Sequence, residues 1–379
     1  MRDPRYYTPE HEAFRETLRR FVAQEITPHV NAWDEAGAFP RELYRRAAAI
    51  GLLGIGYPEE YGGTPADVFY HLIASEELAR AGAGGLVAGL LSHTIGAPPI
   101  LHAGSPELKA RKLPPILAGA RISALAVTEP SGGSDVASLR TTARREGDEY
   151  VVDGEKTFIT SGMRADDYTV AVRTGGPGAA GVSLLVIERD RPGFTRTPLA
   201  KMGWWMSDTA SLRFDGVRVP VTNLVGEEGQ GFRAIMANFN MERLGLAASA
   251  YGFARVCLED ALAWARERRT FGAPLIERQV IRHKLVDMQT RIEATRALLE
   301  DCAWQVREGR ADAARLAMLK NFATRTLQLC ADEAVQILGG MGFMRGTRPE
   351  RIYREVKVMT IGGGAEEIMK DLAARQLGW

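Results

Sequence analysis

The chain has 379 residues, 45% of them apolar and 25% charged, with 48 Lys and Arg against 47 Asp and Glu for a formal charge of +1. That length implies two or three subdomains around a large apolar interior. The near-neutral balance excludes the electrostatic footprint of a nucleic-acid or anionic-membrane binder. The three cysteines, Cys257, Cys302 and Cys330, are far apart and odd in number, which reads as buried thiols of a reducing, cytoplasmic compartment. The six histidines show no paired ligand spacing, so no metal centre is expected. The N-terminal Met1-Arg2-Asp3-Pro4 lacks the apolar core of a secretory leader, and the longest apolar runs are broken well short of a membrane span.

Residues 1–120 read as a helical domain. Thr8-Pro9-Glu10 caps a helix carrying Phe14, Leu18, Phe21, Val22 and Ile26 at helical spacing. Pro40-Arg41-Glu42, Pro65-Ala66-Asp67 and Ser105-Pro106-Glu107 open three more. Gly82-Ala83-Gly84-Gly85-Leu86 leads into a small-residue helix suited to close packing.

Residues 121–225 read as a β-domain, a sandwich or barrel. Its candidate strands are Ile122–Thr128, Ala137–Arg144, Glu149–Val152, Lys156–Thr160, Tyr168–Arg173, Val182–Glu188 and Ala210–Phe214, with Asp153-Gly154 as a turn. The first ends in Thr128-Glu129-Pro130-Ser131-Gly132-Gly133-Ser134-Asp135. Glycine lets a ligand approach the backbone there, and the hydroxyls and N–H groups can bind a polar heterocycle or phosphate. Phe158-Ile159-Thr160 ends another strand with an aromatic and a hydroxyl. Two ordinary turns and a cofactor cradle both fit these residues. Gly176-Pro177-Gly178-Ala179-Ala180-Gly181 matches G-x-G-x-x-G but is not followed by a helix, so it reads as a hairpin tip.

Residues 226–379 read as a helical bundle. Three long amphipathic helices are expected over 230–269, 277–308 and 312–338, with a shorter one at the C-terminus. Their apolar surface exceeds what one small bundle consumes, which predicts burial against another subunit.

The order helix, β-domain, bundle, an α+β class, carries five motifs that together resemble the acyl-CoA dehydrogenase family over nearly the whole chain. They are Val127-Thr128-Glu129-Pro130 with Gly133-Ser134-Asp135; Phe158-Ile159-Thr160; Met202-Gly203 with Ser207-Asp208-Thr209; Arg268-Arg269-Thr270-Phe271-Gly272; and Gln336-Ile337-Leu338-Gly339-Gly340. The resemblance implies FAD bound across a subunit boundary in a homotetramer, a dimer of dimers. Leu125, Val127, Thr128, Gly133, Ser134, Phe158 and Thr160 would hold the flavin end. Arg268, Thr270, Phe271, Gln336, Gly339 and Gly340 of a neighbouring subunit would hold the pyrophosphate and adenosine end. Without the motif, Arg268 reads as a helix-end salt bridge.

The implied reaction is α,β-dehydrogenation of an acyl-CoA, with electrons passed to an electron-transferring flavoprotein. Much of the family places its catalytic Glu near the C-terminus; here that position is Gly363, in Ile361-Gly362-Gly363-Gly364-Ala365. Isovaleryl- and long-chain-specific members take it from the first bundle helix, where Asn240-Met241-Glu242-Arg243 offers Glu242. Outside the resemblance, Glu242 reads as an exposed helix residue paired with an Arg. The backbone N–H of Gly363 remains as an oxyanion donor. Ser134, Asn240, Arg243 and Gly364 match substrate-contacting positions. A flavin monooxygenase or oxidase on the same fold, and a catalytically silent member, are the rival readings. Trp204-Trp205 sits where a polar or basic residue is usual; on a strand, two adjacent Trp would face opposite ways.

Overall fold

The computed structural model describes residues 3–379. Helices come first: α1 (Pro9–Phe21), α2 (Val30–Ala36), α3 (Glu42–Ala49), α4 (Val68–Ala79), α5 (Gly84–Leu90), α6 (His93–Gly96), α7 (Pro98–Ala103) and α8 (Pro106–Leu117). The caps follow the sequence. The Asp67 carboxylate accepts the Phe69 N–H to open α4, and the Ser105 hydroxyl accepts that of Leu108 to open α8.

Seven strands follow: β1 (Ser123–Ala126), β2 (Thr142–Glu146), β3 (Glu149–Thr160), β4 (Asp167–Arg173), β5 (Val182–Glu188), β6 (Phe194–Pro198) and β7 (Thr209–Pro220). The order β1-β4-β2-β3-β7-β6, with β5 also on β4, joins two groups of strands through the single pair Thr142↔Arg173. Three expectations need correction. Asp153-Gly154 is not a turn but a bulge inside one continuous β3, with Gly154 at φ +144° and Thr141 packed where its Cβ would be. The strand expected from Ala137 starts only at Thr142, because Val136–Ser138 coil into a 3₁₀ turn. The edge strand β6 went unrecognised, since only Phe194 of its residues is buried. The G-x-G-x-x-G segment is the β4–β5 hairpin tip, as expected.

The rest is helical: α9 (Gly231–Glu267), α10 (Gln279–Arg307), α11 (Ala313–Leu338), α12 (Gly340–Phe343), α13 (Arg348–Ile361) and α14 (Glu366–Leu377). Three helices, not one, follow α11, the first of them a single turn. Between α9 and α10 a small hairpin pairs β8 (Arg269–Thr270) with β9 (Ala273–Pro274). The 37 residues of α9 span about 55 Å. The helix runs from the β-domain, where Gly231 lies on Ser183, to α4, where a Cβ on Gly252 would stand 2.7 Å from that of Ala79. One apolar cluster, including Leu18, Phe69, Val152, Tyr168, Leu244, Leu299 and Leu327, runs through all three segments. The thiols of Cys257, Cys302 and Cys330 are free and buried.

Trp204 and Trp205 lie in a turn, not on a strand, so strand alternation does not describe them. Trp204 has φ +55° and packs on Gly84 and Gly85 of α5, while its backbone N–H donates to the Glu355 carboxylate of α13 at 3.1 Å. The Trp205 ring carries the guanidinium groups of Arg354 (3.9 Å) and Arg345 (4.5 Å). The pair locks the β-domain onto helices from both other segments.

Candidate functional site

The turn between α13 and α14 is Gly362-Gly363-Gly364-Ala365. Gly363 (φ +66°) and Gly364 (φ +107°) are left-handed, a conformation glycine takes without steric cost. A Cβ on Gly364 would stand 2.4 Å from Met369 Cε. One on Gly363 would stand 2.5 Å from Leu246 Cδ1 and 3.7 Å from Glu242 Oε1. Glu242 and Leu246 are four residues apart, so both point from one face of α9 at this turn.

Three cationic or polar groups complete the cluster. Arg243 is buried; its Nε donates to the Gly363 carbonyl at 3.4 Å and its Nη1 to Asn240 Oδ1 at 3.0 Å. The Lys320 ammonium, wholly buried on α11, donates to the Gly364 carbonyl at 2.7 Å. Glu242 is partly buried, and its neighbour Arg243 turns to Asn240 and the glycine turn, so the pattern of an exposed Glu–Arg pair does not describe it. Burial pushes the Glu242 carboxyl up to about 7 against the opposing charges of Arg243 and Lys320. Burial pushes Lys320 down to about 8, with Glu242 opposing. Glu242, Gly363, Gly364, Arg243 and Asn240 thus come together. Lys320 was missed; its signal is a charge inside the apolar stripe Leu316, Leu319, Ala323, Leu327.

The second cluster surrounds the loop after β1. Glu129 is buried, and its carboxylate accepts the N–H of Arg140 (2.6 Å) and Thr141 (2.8 Å) and the Lys156 ammonium (2.8 Å). Lys156 also donates to the Val127 carbonyl at 3.1 Å. The Thr157 N–H donates to Thr128 O at 2.9 Å. Burial pushes Lys156 down to about 8 against the pull of Glu129. These bonds fix the loop from beneath. Gly133 and Ser134 stay exposed above it, Leu125 and Thr128 half-buried, Val127 buried. A Cβ on Gly133 would press to 3.0 Å from Thr128 Cγ2.

Beside the loop, the register of β3 against β7 shifts between Lys156 and Ile159. That bulge turns Phe158 outward at φ +60°, 70% exposed, with Thr160 half-buried beyond it. An aromatic residue held in a disfavoured conformation and largely bare suits the face of a planar heterocycle. The residues present therefore fit a flavin.

The third group lies at the far end of α9. Arg268 is exposed at its C-terminus, and Phe271, at the tip of the β8–β9 hairpin, is 99% exposed at φ +50°. Thr270 is half-buried, and its carbonyl accepts from Arg278 at 2.7 Å. Gln336, Gly339 and Gly340 are exposed, and a Cβ on either glycine would meet no atom within 4 Å. Among the described residues Arg268 has no helix-end salt bridge: the guanidinium bonds of this hairpin come from Arg269 and Arg278.

The sequence matches the family models for the acyl-CoA dehydrogenase N-terminal domain over 8–120, middle domain over 124–217 and C-terminal domain over 229–378. It is 38% identical to an acyl-CoA dehydrogenase of Bacillus subtilis, covering 98% of this chain and 99% of that one. It is 36% identical to the mitochondrial long-chain specific acyl-CoA dehydrogenase of Rattus norvegicus, over 98% of this chain and 87% of that one. A putative acyl-CoA dehydrogenase from Mycobacterium smegmatis superposes with a TM-score of 0.97 at 46% identity, covering 98% and 99%. A glutaryl-CoA dehydrogenase from the same organism, solved in complex with FADH2, superposes at 0.91 with 27% identity, covering 98% and 95%. The chain belongs to the acyl-CoA dehydrogenase family, FAD-dependent oxidoreductases that act on acyl-CoA.

Proposed function

We propose that this protein dehydrogenates an acyl-CoA to the trans-2-enoyl-CoA with Glu242 as the α-proton acceptor. The observation that carries the reading is the 3.7 Å between Glu242 Oε1 and the Cβ position of Gly363. A carboxylate there reaches the space that a side chain at 363 would otherwise fill. Partial burial makes it more basic than a solvated Glu, which suits removal of a weakly acidic C–H proton.

The Gly363 N–H binds the thioester carbonyl and stabilises the negative charge that gathers there as the proton leaves. Arg243, Asn240, Gly364 and Ser134 position the CoA ester. Leu125, Val127, Thr128, Gly133, Ser134, Phe158 and Thr160 hold the flavin end of the cofactor, and Arg268, Thr270, Phe271, Gln336, Gly339 and Gly340 the remainder for an adjoining subunit. The bare surface around Phe271 and Gly339 supports such a shared site within a homotetramer. FAD, when bound, supplies the acceptor for the β-hydride. An electron-transferring flavoprotein is the proposed onward electron acceptor; a chain 35% identical comes from a structure described as the electron-transferring flavoprotein of Acidaminococcus fermentans.

The test is anaerobic mixing of the yellow protein with a series of acyl-CoA esters. Glu242→Gln is expected to retain FAD and lose bleaching by every ester that bleaches the parent. Bleaching at the parental rate would end this assignment and return the oxidase reading, which needs no α-proton base.

A further inference from the structure

We infer that Lys320 is a positioning residue of the proton-abstracting site: from α11 it holds the Gly363–Gly364 turn against Glu242 and supplies positive charge that keeps that carboxylate ionised. The inference rests on Glu242 being the base.

The geometry comes first. The two carbonyls of the left-handed turn are each held by a buried cation, Gly363 O by Arg243 at 3.4 Å and Gly364 O by Lys320 at 2.7 Å. Two cations on consecutive carbonyls fix the orientation of the 363–364 and 364–365 peptides, and so hold the turn that carries the Gly363 N–H.

Charge comes second. A neutral donor would satisfy one carbonyl at far lower cost, since burying an ammonium carries a penalty of several kcal/mol unless an anion compensates it. The charged groups facing Lys320 are Glu242 and Arg243 from α9 and Glu366 and Glu367 from α14. Arg243 has the same sign. Glu366 is already engaged by Arg325 at 2.6 Å and Lys370 at 2.7 Å, and Glu367 is exposed to water. Glu242 is the acid left to compensate the ammonium. The attraction is mutual, so the same charge favours the ionised Glu242, which the reaction requires.

The experiment uses FAD-loaded Lys320→Gln, which keeps a donor but no charge, and Lys320→Met, which keeps neither. One readout is the pH dependence of kcat/KM. The other is independent of turnover: pH titration of a complex with an acyl-CoA analogue whose β-carbon is replaced by sulfur, which can lose its α-proton but cannot be dehydrogenated. Absorbance of the bound flavin reports the deprotonated analogue. Both variants are expected to move the acid limb and the titration midpoint upward by about one pH unit, roughly a tenfold loss of kcat/KM below the limb. Lys320→Met is expected to raise KM as well, through the freed Gly364 carbonyl. If Lys320→Met does not retain FAD, Lys320→Gln carries the charge test alone. An unmoved limb and midpoint in the folded variant overturn the role of Lys320 while leaving Glu242 as the base. Bleaching by Glu242→Gln overturns the base itself.

Discussion

Glu242 and Gly363 face each other across one space: a β-carbon on Gly363 would touch the carboxylate of Glu242 at 3.7 Å. Gly363 leaves that space open, and a methyl group there would meet Glu242 only in ordinary contact. The glycine is also left-handed, at φ +66°. Gly363→Ala is expected to cost about 1–2 kcal/mol from backbone strain. The contact with Leu246 Cδ1 adds less, since the tip of a flexible side chain can move. Thermal denaturation reads the first effect. Stopped-flow flavin reduction should show a slower step with FAD content unchanged.

The rate should follow the ionisation of Glu242. Only the carboxylate accepts a proton, and burial lifts its value to about 7. The rate of flavin reduction is expected to fall tenfold per unit as pH drops below about 7, and to level off above it. A profile flat down to pH 5 would contradict a base in this setting.

Stability should respond with the opposite sign. A carboxyl whose folded value is raised contributes stability that is fully present below its ordinary value near 4.5 and is lost as pH rises through about 7. Glu242→Gln removes that loss. Relative to the parent, the variant is expected to gain about 2 kcal/mol of stability between pH 4 and pH 8, whatever constant offset the loss of the anion beside Lys320 adds. Urea unfolding at the two pH values checks this.

Lys156→Met should unseat the loop after β1. It leaves the buried Glu129 carboxylate with backbone donors alone, a loss of about 3–5 kcal/mol for a broken buried pair. A Glu129→Gln/Lys156→Met double variant is expected to lose less than Lys156→Met does, because no bare charge remains. Denaturant midpoints of the apo proteins separate the two.

Phe158→Gly should separate binding from folding. Phe158 is 70% exposed at φ +60°, so glycine removes little packing and relieves strain. The apo protein is expected to melt no lower than the parent. FAD affinity is expected to fall about tenfold, near the upper end of the range for a lost aromatic contact with a planar ring. Fluorescence of released FAD on dilution measures it.

The parts of the fold that sequence reveals are those with long periodic signals. The helices expected at 230–269, 277–308 and 312–338 are observed at Gly231–Glu267, Gln279–Arg307 and Ala313–Leu338. Short or irregular pieces were less legible. Asp153-Gly154 has turn chemistry, but the pairing of β3 with β7 on both sides carries the strand through it. Phe194–Pro198 shows one buried residue and no alternation to read. In the site, Glu242 was singled out as the proposed base because a glycine, Gly363, stands at the family's usual acid position. Lys320 was not, because one lysine on a helix looks like a solvated charge until the partner helices enclose it. Likewise Glu129 and Lys156 lie 27 residues apart, and only the approach of β3 to the β1 loop makes them a pair.

The buried knot of Glu129, Lys156 and the Thr141 amide ties the loop entirely with groups of this chain. The flavin end of the proposed docking surface is finished at the end of folding, and only the other end waits for an adjoining subunit. Little chain entropy is then spent when FAD arrives. Exchange of old cofactor for new becomes an event of diffusion and release, open to a protein stripped of its flavin and then supplied again, with no unfolding in between.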